Sequence, residues 1–172
     1  MKRKYRKIIL ACLIIVIGFY FFYTFPRKYN ITFHGIKYRL GDISYKEDIV
    51  VRIKGWYTKK IFLGNQFKGE ICLGDEKLLN VNLELNEYNS DILMGYKEDI
   101  GEFRMYGKIY FSNTFDKIAI LLFEPDDKGD YSKGHWNCKN GLMISAPAKS
   151  REEALNLSKE LIRDEIIKYG DL

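Results

Sequence analysis

Hydrophobic residues follow three different rhythms along this chain. From Ile8 to Phe25 they are nearly continuous: IILACLIIVIGFYFFYTF runs for eighteen residues without a charge. As a helix this run spans about 27 Å, just enough for a hydrocarbon core about 30 Å thick. Aromatics crowd its second half and Tyr5 precedes it, which suits a membrane–water interface. Pro26 ends the helix because it cannot donate the next backbone bond.

Beyond Pro26 the period becomes two. In Phe67–Leu73, Phe67, Gly69, Ile71 and Leu73 alternate with Lys68, Glu70 and Cys72. In Leu79–Leu85, Leu79, Val81, Leu83 and Leu85 alternate with Asn80, Asn82 and Glu84. In Glu102–Phe111, the set Phe103, Met105, Gly107, Ile109 and Phe111 opposes Glu102, Arg104, Tyr106, Lys108 and Tyr110. Such alternation predicts antiparallel strands with one wet and one buried face, and puts Leu83 and Phe103 in the core. Ile31–Leu40 reads as a strand whose alternation shifts near Gly35, predicting a bulge or bend. Asp48–Tyr57 is a further strand. Lys117–Phe123, apolar on both faces, is a central one, and Leu142–Ser145 is a short late one. Gly74-Asp75-Glu76-Lys77 predicts a short hairpin loop, and Asn89-Ser90-Asp91, Ser112-Asn113 and Glu124–Gly141 mark other connections.

From Ser150 the spacing turns helical. Ser150 and Glu153 form a capping box, Ala154, Leu155, Leu161, Ile162, Ile166 and Tyr169 line one face, and Gly170 terminates the helix. The expected fold is therefore mainly β with one C-terminal α-helix, preceded by one transmembrane helix. The strands form an antiparallel meander of about six to eight, as a curved sheet or small barrel capped by the helix; an open sheet with the helix across one face is the alternative. The expected organisation is a basic tail at 1–7, a membrane span at 8–25 and a β-rich domain at 27–172 carrying the helix 150–169.

Charge changes the picture at one place. The chain has 172 residues with 28 Lys and Arg against 23 Asp and Glu, a net of +5. Lys2, Arg3, Lys4, Arg6 and Lys7 account for the whole excess, so the remainder is neutral. The excess is a local tag rather than a nucleic-acid face, and by the positive-inside rule it keeps the N-terminus in the cytoplasm with the domain outside. The run ends without the small residues a signal-cleavage site needs, and Cys12 follows too short an apolar stretch for lipidation, so an uncleaved anchor is expected.

Candidate chemistry is sparse. His34 reads as an exposed strand residue. His135 and Cys138 lie close in the long connection, the raw material of a Cys–His nucleophile but without an evident orienting partner. Cys72 and Cys138 are the only cysteines beyond the apolar run and are a candidate disulfide, worth about 4 kcal/mol in the chain-entropy account. Glu124, Asp126, Asp127 and Asp130 supply hard oxygen ligands but miss the EF-hand spacing, so a solvated acidic loop is expected. The aromatics Trp56, Tyr57, Phe62, Phe67, Phe103 and Tyr106 suit a core or the lining of a ligand pocket. No catalytic, metal or cofactor signature is found. The expected function is a membrane-anchored, extracytoplasmic, non-enzymatic binding module. Its partner would be a membrane or envelope protein or a small apolar ligand, with no nucleic acid. The alternative is a cell-surface hydrolase or thiol enzyme using the His135/Cys138 loop.

Overall fold

A computed structural model describes residues 2–60, 64–97, 100–125 and 134–169. Helix α1 (Lys2–Thr24) leads into eight strands: β1 (Arg27–Arg39), β2 (Lys46–Thr58), β3 (Asn65–Leu73), β4 (Glu76–Leu85), β5 (Ser90–Lys97), β6 (Glu102–Phe111), β7 (Ile118–Leu122) and β8 (Leu142–Ala146). Helix α2 (Arg151–Tyr169) follows. The strands pair antiparallel in chain order, and β8 closes on β1 to make a barrel. Closure uses only the second half of β1, Ile36 to Arg39, against Ser145 to Leu142. The backbones meet closely there: a Cβ on Gly35 would lie 2.5 Å from the Ala146 Cβ, so glycine is required.

The chain is mainly β with a C-terminal helix, and α1 is long and apolar enough to span a membrane. α1 buries none of its Tyr5–Thr24 stretch against the rest of the protein. The barrel interior is a packed core. Val51 and Ile53 of β2, Phe67 and Ile71 of β3, Leu78, Val81, Leu83 and Leu85 of β4, and Ile109, Ile118, Ile120 and Ile144 all point into it. Burying such side chains from water is what closes a neutral, strand-rich chain on itself, at roughly 1.5–3 kcal/mol for each large aliphatic group.

A second core lies outside the barrel. α2 runs along the outer wall, where Ala154, Leu157 and Ile162 cover Ile36, Tyr38, Tyr110, Ala119, Leu121 and Met143. This explains two departures from the alternation read in sequence. β1 and β2 pair in unbroken register from Arg27–Tyr57 to Tyr38–Lys46, so no bulge sits at Gly35. The shift in pattern arises because Ile36 and Tyr38 face the helix while Phe33 faces the interior. β7 is apolar on both faces for the same reason. The helix is capped by the Ser150 Oγ, which accepts the Glu153 amide at 3.1 Å, and Glu153 in turn accepts the amide of Lys149.

Two real bulges lie elsewhere. Between Gly69 and Ile71 the β3–β4 register shifts, with Asn80 at φ +54, and this turns Leu78 inward and leaves Leu79 partly exposed. Between Leu93 and Met94 the β5–β6 register skips Tyr106, with Gly107 at φ +153. A bulge inverts the facing of every residue beyond it. Phe103 therefore points outward and is 61% exposed against Tyr96, while Tyr106 is buried. The expectation that Phe103 is core is thus corrected, whereas Leu83 is fully buried.

Candidate functional site

The two ends of the barrel differ in chemistry. At the α1 end an aromatic cluster closes the interior. Phe115 stacks on Phe111 at 4.7 Å and meets Tyr57 at 4.4 Å and Tyr29 at 5.3 Å between ring centroids. Phe115 holds φ +60, an uncommon conformation for a bulky side chain. The Ser112–Lys117 turn enforces it: the Ser112 and Thr114 hydroxyls both donate to the Asp116 carboxylate at 2.6 Å, and the Ser112 Oγ accepts the Asp116 and Lys117 amides. These hydroxyls hold the Asp116 carboxyl below its ordinary pKa. Burial, reinforced by the neighbouring Tyr29, pushes the Tyr57 hydroxyl up to about 12.

The opposite end is open and polar. A depression of about 620 Å³ lies there, with Ile49, Leu73, Leu122 and Ile144 among its apolar lining and Lys37, Glu47, Asp48, Asp75 and Glu76 among its charged residues. Lys37 pairs with Glu47 at 3.2 Å, and Glu76 with Lys97 at 3.2 Å. Both signs of charge therefore stand above a shallow apolar base. The partial exposure of these pairs keeps each one weak. The two-residue turn Gly74-Asp75, with Gly74 at φ +63, sets one edge of this mouth.

Beside the mouth, Arg39 grips Glu124 with two nitrogens, at 2.6 and 3.0 Å, and donates to the Asn140 carbonyl at 2.9 Å. Arg151 of α2 donates to the carbonyls of Arg39 and Leu40, joining the helix N-terminus to the end of β1. The guanidinium holds the Glu124 carboxyl below the usual carboxylate range. Glu124 is thus an ion-pair partner, and Asp126, Asp127 and Asp130 lie outside the described residues. Among the described residues no group of three or more His, Cys, Asp or Glu converges as a metal site.

The other candidates disperse. His34 is exposed on the outer face of β1. His135 exchanges backbone hydrogen bonds with Glu124, both at 3.2 Å, while Cys138 is exposed in the following turn. Cys72, on the outer face of β3, and Cys138 are both free thiols. Of the aromatics, Tyr57, Phe67 and Tyr106 fill the barrel, Trp56 and Phe103 are exposed outside it, and Phe62 lies outside the described residues. Buried polar groups beneath α2 were not singled out by the sequence pattern. The Tyr38 hydroxyl shares a 2.8 Å hydrogen bond with Ser158 beneath α2, and Glu165 pairs with Lys108. Burial and the nearby Glu165 carboxylate push the Tyr110 hydroxyl well up. Ser158 and Glu165 continue the helical spacing of Ala154 and Ile162, which was the available signal. Compared with known protein families, curated proteins and solved structures, the chain matches none.

Proposed function

We propose that α1 anchors this chain in the cell membrane with residues 1–7 in the cytoplasm, and that the barrel stands outside as a non-enzymatic binding module. The anchor is supported by the charge-free run 8–25, whose helix has no buried share, and the orientation by five cations before that run against Arg27 and Lys28 just after. The binding reading is carried by one observation. The interior is filled by side chains from across the barrel wall, so contact with a partner falls to the exterior and to the polar mouth. That packing favours a protein or envelope component over an enclosed apolar ligand.

Acid–base or nucleophilic chemistry needs convergent groups; His34 lies on the outer face of β1, away from the loop that holds His135 and Cys138, both exposed and with no orienting carboxylate bonded to the imidazole among the described residues. A tether also raises the effective concentration of a partner in the same membrane. Complementation of a deletion phenotype by the full chain tests the reading. His135→Ala and Cys138→Ala should complement fully, whereas reversing the mouth charges with Lys37→Glu and Glu76→Lys should not. Loss of function in a folded His135→Ala or Cys138→Ala protein would overturn the binding-module account.

A further inference from the structure

The neutral charge of the domain conceals a one-sided distribution. On the outer face of β1–β3, the register sets Lys28, Trp56 and Lys68 side by side in one row. Lys54 lies in the next row, between Asn30 and Glu70. Arg27 begins β1, and the Lys59 ammonium, just past β2, sits 5.7 Å from the ring centroid of Tyr23 in α1. Lys28, Lys54 and Lys68 are exposed, and Trp56 is 54% exposed although it is a large indole on a folded domain. Two acids flank this face: Glu70, shared between Lys54 at 3.8 Å and Lys77 at 3.2 Å, and Glu84, opposite Gln66 in the row beyond Lys68; Lys28, Lys54 and Lys68 still leave it positive. Further acids of this end, Glu87, Asp91 and Asp116, lie on the β4–β7 side.

Position decides what covers this face. Only Phe25 and Pro26 separate α1 from β1. Two residues reach at most about 7 Å, so a barrel tethered in this way cannot leave the bilayer surface. Tryptophan prefers the headgroup region, where its apolar body and polar N–H are both satisfied, and clustered lysines favour anionic headgroups. We propose that the Lys28–Trp56–Lys68 face docks the barrel onto anionic phospholipid headgroups of the membrane that holds α1, with Trp56 seated among the headgroups and Lys28, Lys54 and Lys68 on their phosphates. This rests on the anchor reading above. It fixes the tilt of the barrel, turning the β1–β3 wall toward lipid and leaving the α2-covered wall and the mouth free for a partner.

The test uses the full chain in lipid nanodiscs, either pure phosphatidylcholine or with about a third phosphatidylglycerol, which supplies the negative surface potential. Acrylamide quenching of Trp56 is obtained by difference against Trp56→Phe, which removes the contribution of Trp136. In anionic discs the quenching of Trp56 should fall at least about twofold, since each lysine near such a surface strengthens association roughly fivefold. High salt on the unaltered chain, or Lys28→Gln, Lys54→Gln and Lys68→Gln together, should restore the value seen in neutral discs. Equal quenching in both discs, or shielding that survives both salt and the triple substitution, would overturn the docking face alone. A chain that washes off the discs would overturn the anchor, and the docking face with it.

Discussion

Leu83 and Phe103 occupy matching positions in the sequence pattern and opposite environments in the fold. Leu83 is fully buried, so Leu83→Ala should cost about 2–5 kcal/mol in denaturant unfolding. Phe103, beyond the Tyr106 bulge, is 61% exposed, and Phe103→Ala should change stability by less than about 1 kcal/mol. Equal costs would mean the bulge is wrongly placed. Tyr57 adds a prediction in alkali. Its folded-state hydroxyl is raised to about 12 by burial, against roughly 10 in an unfolded chain. The neutral form is the one favoured by folding, so its contribution is complete below pH 10 and is lost between about pH 10 and 12. Tyr57→Phe should flatten the loss of stability over that window, and an unchanged alkaline limb would contradict the assignment. Residue by residue, the sequence disclosed burial wherever the period of two ran unbroken. A bulge changes facing without changing composition, so Leu78, Tyr106 and Phe103 were not legible.

Seven of the eight strands at the level of elements left a readable trace; β5 did not. Its sequence, SDILMGYK, starts with a buried serine, contains Gly95 and has no steady alternation; only its first two residues carried a signal, as part of the turn Asn89-Ser90-Asp91. The membrane-length helix and the capped C-terminal helix were legible because a charge-free run and a capping residue are local signals. The site of α2 was not, since apolar residues on both faces of β7 fit a central strand as well as a wall under a helix. The tie between α2 and that wall is testable. Tyr38 and Ser158 share a buried 2.8 Å hydrogen bond, so Ser158→Ala should cost about 1–3 kcal/mol. Combined with Tyr38→Phe the total should fall short of the sum of the single changes, because both remove one interaction. Strict additivity in thermal or denaturant unfolding would show that the helix is not held this way.

For the whole molecule, closure of the barrel gives it two unlike ends, and no local motif could announce either. The mouth draws Lys37 from β1, Glu47 and Asp48 from β2, and Asp75 and Glu76 from the β3–β4 hairpin, residues that read separately as solvated charges. The aromatic closure of the other end likewise joins Tyr29, Tyr57, Phe111 and Phe115 from three strands and a turn. In the proposed orientation the mouth and its β1–β2 loop face the outside of the cell, at the end of the barrel opposite α1. Ile43 in that loop is 82% exposed and makes a suitable reporter. With Cys12, Cys72 and Cys138 replaced by serine, Ile43→Cys can be treated in intact cells with a membrane-impermeant maleimide. The account predicts the same labelling before and after lysis; labelling that appears only after lysis would contradict it.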